Sequence, residues 1–95
     1  MSTVVSAAVA ALNAKMSGGL AGTAKFVIKG EGTILMDGTG AREGDGPADV
    51  TLTADSTTFQ GILEGNVNPT AAFMMGKLAV DGNMGMAMQI GAALS

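Results

Sequence analysis

The chain has 95 residues, a net charge of −3, and no cysteine, histidine, tryptophan or tyrosine. These absences remove disulfides, Cys/His zinc sites and the usual Ser-His-Asp and Cys-His nucleophile systems. The five cations Lys15, Lys25, Lys29, Arg42 and Lys77 are scattered rather than gathered against a phosphate backbone, so neither an enzyme nor a nucleic-acid binder is expected.

In chain order, Val5, Val9, Leu12 and Met16 recur at helical spacing, and Gly18-Gly19 stops that helix. The period then changes to two. Ala24, Phe26 and Ile28 alternate with Lys25 and Lys29, and Thr33 to Met36 is a short apolar run closed by Asp37-Gly38, which predicts two strands joined tightly around residues 30–32. Residues 38–47 are glycine-rich, acidic and mobile in character, with room for a short edge strand around Ala41 to Glu43. Ala48 to Ala54 gives the cleanest alternation, with Val50 and Leu52 on one side and Asp49, Thr51 and Thr53 on the other.

Asp55-Ser56-Thr57 supplies N-cap chemistry for a helix on which Phe59, Ile62 and Leu63 share a face, and Gly65 ends it. Asn68-Pro69 starts another, with proline at the first helical position, and Gly76 closes it. Lys77 to Asp81 reads as a strand with Leu78 and Val80 inward, and Asp81-Gly82 turns the chain into a final helix. The expected order is α-β-β-(β)-β-α-α-β-α, in one domain over residues 1–95 with a modest core.

At about 100° per residue, Met84, Met88 and Gly91 fall on one face of that last helix, and Met86, Ile90 and Ala93 on the opposite one. A surface helix needs one apolar face, so the second must meet something else, and a lipid answers that description. Other motifs carry little. Asp37, Asp45 and Asp81 each precede glycine and serve turns, residues 37–49 miss the spacing of a calcium loop, and Ala71 stands where a phosphate loop ending in Gly76-Lys77 needs its first glycine. No apolar run approaches the roughly 18 residues of a membrane span. The first lysine follows the N-terminal apolar stretch rather than preceding it, so a cytoplasmic helix is expected there in place of a signal peptide.

The stretch AFMMGKLAVDGNMGMAMQI resembles the C-terminal signature of the sterol carrier protein type-two, or SCP2-like, lipid-transfer family. The matching elements are Asp49-Val50-Thr51-Leu52, Gly65-x-x-Asn68-Pro69, Ala72-Phe73, Gly76-Lys77-Leu78 and Gly82-Asn83-Met84-Gly85 with Ala87-Met88, and the likeness runs from about Phe26 to Leu94. The resemblance implies an α/β (α+β) fold in which a five-stranded mixed sheet, covered by helices, encloses an apolar tunnel for a fatty acyl chain, acyl-CoA, phospholipid or sterol. Three departures stand out. The segment before the first strand is short, which leaves the tunnel narrower, more open or closed by a partner subunit; glycine occupies position 91, where several relatives carry a glutamine; and the Ser-Lys-Leu type of peroxisomal tail is not seen.

The resemblance turns the methionine-rich helix from plain core into a cavity wall, since methionine adapts to chains of different length. The candidate lipid-binding residues are Phe59, Leu63, Phe73, Met74, Met84, Met88 and Gly91, with Lys77 either solvated or paired with a head group at the tunnel mouth. No cofactor is implied. The expected partner is the lipid itself, with transient membrane contact left open and the protein a monomer or weak homodimer. The competing reading is an accessory subunit that docks its methionine face on a lipid-metabolising assembly.

Overall fold

The structure, a computed structural model, describes residues 3–17 and 19–94. Its elements are α1 (Thr3–Lys15), β1 (Ala24–Lys29), β2 (Gly32–Asp37), β3 (Gly40–Glu43), β4 (Val50–Asp55), α2 (Ser56–Leu63), α3 (Pro69–Met74), β5 (Leu78–Gly82) and α4 (Met84–Leu94). The strands form one sheet in the order β3-β2-β1-β4-β5, in which β1 and β4 run parallel and the other pairs antiparallel. This is the mixed α+β architecture expected from the sequence, with the edge strand present.

Period-two alternation sends one set of side chains to each face of the sheet. Cross-strand register then lines the buried set into rows: Met36, Ala24 and Val50 in one, Ile34, Phe26, Leu52 and Val80 in the next, Ile28, Ala54 and Leu78 in a third. The helices pack on this face and share one core with it. Lys25, Val27, Thr51 and Thr53 look the other way and are only partly covered. A two-layer arrangement of this kind leaves one sheet face to solvent, as polar alternation allows.

Helix α1 buries Val5, Ala8 and Leu12 and lies against β2 and β3. Val9 and Met16, expected on its core stripe, are only partly buried, and Ala8 is buried beside Val5 and Leu12 instead. Gly18, half of the expected stop signal, lies outside the described residues, whereas Gly19 takes φ +74°, where a Cβ would meet the carbonyl groups of Asp37 and Gly38.

The segment 38–47, expected to be mobile in character, carries contacts that its composition does not announce. Thr39 donates to the Asp37 carboxylate through its backbone N–H at 2.9 Å and its hydroxyl at 2.6 Å, Arg42 pairs with Asp37 at 3.0 Å, and Lys25 pairs with Asp45 at 2.8 Å. Asn13 on α1 adds two hydrogen bonds to β3, donating to the Ala41 carbonyl at 3.0 Å and accepting from its N–H at 2.8 Å. Composition showed the glycines but not the side chains that hold them.

Asp49 also departs from the expected pattern, since it precedes β4 and locks it. Its N–H donates to the Thr23 carbonyl at 2.8 Å, its carboxylate accepts from the Thr23 N–H at 3.0 Å, and its carbonyl accepts from Asn83 at 2.9 Å. Asp55 caps α2 by accepting from Thr58, Asn68 caps α3 by accepting from Thr70 and Ala71, and Asn83 caps α4 by accepting from Met86 at 3.0 Å. The last of these was hidden behind the Asp81-Gly82 turn signal.

Two expectations follow. Gly82 has φ +102° and its missing Cβ would collide with the Asp49 carbonyl and the Val50 backbone, so Gly82→Ala should cost about 2 kcal/mol or more in denaturant melts. An unchanged midpoint would show that β4 and α4 are not tied there. Hydrogen bonds from Thr39, then the Arg42 guanidinium, hold the exposed Asp37 carboxyl at about 2 instead of 3.8, so its contribution is present above the ordinary value and lost as pH falls through the lower one. Between these limits the melting temperature should drop more steeply for the parent than for Asp37→Asn, and parallel curves would count against this role.

Candidate functional site

Between the sheet and the helices α2, α3 and α4 lies a cavity of about 450 Å³. Its floor is the row Phe26, Leu52 and Val80 together with Leu78. The ring of Phe26 stands edge-on to that of Phe59, with centroids 5.6 Å apart and planes at 90°, which closes the end nearest α2. Ile62 continues that wall, Pro69, Thr70, Phe73 and Met74 form the next, and α4 supplies the last from Met84 to Leu94.

Helix α4 brings little side-chain bulk to part of this wall. Ala87 and Gly91 line the space, and a Cβ added at Gly91 would meet only Pro69 at 3.7 Å, an ordinary contact. Thr70 is the one polar side chain among the lining residues, and no charged side chain reaches the interior. Such a space can hold hydrocarbon but offers no counter-ion to a buried charge. The rim is different in kind: Met84 is 47% and Met88 74% exposed, and Met74 is 79% exposed, so the cavity opens between α3 and α4.

Six of the seven sequence-derived candidates border this cavity: Phe59, Phe73, Met74, Met84, Met88 and Gly91. Leu63 does not. It lines a shallower recess against α1, beside Val4, Ala8 and Ala11. With Phe59 as origin, Ile62 lies about 60° to one side of α2 and Leu63 about 40° to the other, so the same apolar face splits between the cavity and α1. Lys77 is exposed and is not among the lining residues.

The last helix also differs from the two-faced expectation. Its buried stripe is Ala87, Ile90 and Leu94, Met86 is half-buried near Gly22, and Ala93 is exposed. That stripe lies about a quarter turn from Met84 and Met88, rather than opposite them. The floor residues Phe26, Leu52 and Val80 were legible as inward-facing, yet alternation alone does not say which inward side chains border empty space. Among the described residues no group of acidic side chains is placed to hold a metal ion.

The sequence model of the SCP-2 sterol transfer family matches residues 5–95. Among curated proteins, the chain is 43% identical over 64 residues to sterol carrier protein 2 of Gallus gallus, a match covering 67% of this chain and 11% of that protein. It is 38% identical over 77 residues to hydroxysteroid dehydrogenase-like protein 2 of Xenopus tropicalis, covering 73% of this chain and 18% of that one. The chain thus spans less than a fifth of the length of these relatives. Among solved structures, sterol carrier protein 2 of Aedes aegypti in complex with palmitate superposes with a TM-score of 0.81 at 20% identity, covering 100% of this chain and 97% of that one, which shows a shared fold.

The geometry separates side chains that hold the fold from those that edge the opening. Ile90→Ala removes fully buried atoms and should cost about 2–5 kcal/mol, whereas Met88→Ala should cost less than about 1 kcal/mol. Gly91→Ala, inside a helix and free of clashes, should raise stability by about 0.5–1 kcal/mol. Denaturant midpoints of the three variants decide it. A Met88→Ala loss as large as that of Ile90→Ala would make the rim part of the core.

Proposed function

The chain belongs to the SCP-2 sterol transfer family, and on that premise we propose that residues 1–95 act as one lipid-binding unit that carries a fatty acyl chain in the cavity between sheet and α4. The observation that carries this reading is an interior with hydrocarbon walls, a single hydroxyl and no charge. An acyl chain leaves water as its methylenes are buried, at about 0.8 kcal/mol each; about ten of them supply roughly 8 kcal/mol before ordering costs, the scale of micromolar binding. No polar contact is needed inside. The polar end stays at the rim, where a carboxylate, a phosphate ester or a thioester can remain hydrated.

This role is binding and transfer rather than bond-making. The match to a dehydrogenase-like relative covers only a minor part of that protein, so that protein's name lends no activity to this chain. The alternative of a docking subunit is not favoured, because the methionine face borders a cavity instead of presenting a closed surface. A cytoplasmic monomer or weak homodimer that meets membranes transiently fits the same reading. Among the described residues no helix is long and apolar enough to cross a membrane.

The methionine rim is flexible and the cavity has few aromatic walls, which favours a chain that bends over a rigid ring system. Competition against a fluorescent fatty acid should therefore show palmitate or palmitoyl-CoA displacing the probe more strongly than cholesterol. Stronger displacement by cholesterol would reverse the ligand assignment, and no displacement by any lipid would remove the function. Hydrogen exchange adds a second check. Palmitate should slow exchange across Met84 to Leu94, while Val50 to Thr53 stays protected with and without it. If residues 84–94 exchange equally slowly when empty, the ligand enters elsewhere.

A further inference from the structure

The large hydrophobic side chains exposed to solvent among the described residues are Phe73, Met74, Met75, Met84 and Met88. They come from two segments only, the end of α3 with its turn and the first half of α4, and four of the five also border the cavity. Surface apolar residues are ordinarily scattered singly, so their gathering around one opening marks an interaction surface. Charge is distributed to match. From residue 65 to the last residue the only charged side chains are Lys77 and Asp81, which cancel, while residues 1–64 carry the whole net charge of −3.

We propose that this rim, led by Phe73 and Met74 at the end of α3 and Met75 in the turn that follows, is a docking surface for a zwitterionic lipid bilayer, held by shallow insertion of apolar side chains and not by attraction to anionic head groups. The proposal rests on the lipid-binding reading above, since it places the cavity mouth against the lipid it loads or delivers. Three features select a bilayer over a protein or a second copy. The patch is continuous with the cavity, so a docked bilayer and the cavity interior form one apolar path. It is electrically neutral on an acidic chain, which turns it toward a neutral membrane surface and keeps the charged remainder in water. Its tips are long, unbranched, uncharged side chains, 79% exposed at Met74 and 68% at Met75, which conform to disordered acyl tails without demanding one fixed shape.

Met75 separates docking from ligand binding, because it does not line the cavity and its backbone, not its side chain, closes the end of α3. The chain has no tryptophan, so Met75→Trp supplies a single indole at the tip of the surface. On addition of phosphatidylcholine vesicles its emission should shift to the blue, with little change between low and high salt. Met75→Glu should slow transfer of a fluorescent fatty acid from protein to the same vesicles by about fivefold or more, with the dissociation constant in solution within about twofold of the parent. No shift with vesicles, or transfer by Met75→Glu at the parental rate, overturns the proposal. A shift that instead grows with protein concentration in the absence of vesicles identifies a second copy as the occupant and also overturns it, as does a shift seen only with phosphatidylserine and abolished by salt. Failure of the parent to bind the fluorescent fatty acid at all is a different result, and removes the underlying function instead.

Discussion

The parallel pairing of β1 with β4 joins two antiparallel halves into one sheet, β3-β2-β1 on one side and β4-β5 on the other. Without it Phe26 and Leu52 would not be neighbours, and the cavity would have no floor. Parallel neighbours cannot be joined by a tight turn, so the chain must travel between them. It does so through the β2–β3 hairpin and the link over residues 44–49, which crosses the open face, where Asp45 meets Lys25 and the two glycines of the link lie over Leu35. Asp49 completes the join by exchanging hydrogen bonds with Thr23 at the start of the paired strands.

The same sheet supports two different kinds of cover. Under α1 the core is filled, with Val5 and Leu12 fully buried and Ile34 and Met36 beneath them fully buried too. Under α3 and α4 it is not, and there Ala87 and Gly91 line the space with little side-chain volume. Atoms that border a void lose dispersion contacts on one side, so an empty cavity is a standing loss that a hydrocarbon chain can relieve. Stability and binding are therefore linked through one wall. The helix that makes the cavity is held by Ile90 and Leu94, while Met84 and Met88 on its flank remain free to adapt.

Much of this was legible because it follows from local chemistry. Alternation at Phe26, Ile28, Val50 and Leu52 fixed which face of each strand is buried, and Asp55 and Asn68 marked helix starts by the hydrogen bonds their side chains accept. The misreadings share one cause. Leu63 was grouped with Phe59 because both are apolar on one helical face, but only the neighbouring helix decides that Leu63 turns toward α1. The buried stripe of α4 was displaced by a quarter turn for the same reason: a helix apolar on most sides has no preferred orientation until the sheet supplies one. The contacts of residues 38–47 were out of sight in the same way, since glycine is visible in a sequence and a long-range partner such as Asn13 is not.

That asparagine has a consequence of its own. A sheet of five strands has two edges, and each exposes unpaired backbone groups on which another chain can add itself. At β3 the N–H and the carbonyl of Ala41 are both taken by the Asn13 amide, which presents a donor and an acceptor side by side just as a backbone residue of a neighbouring strand would. One side chain thus stands in for a sixth strand. With only four residues in β3, occupying the pair at Ala41 leaves no run of free groups long enough to template growth, and the sheet is terminated on that side by a helix rather than by charge.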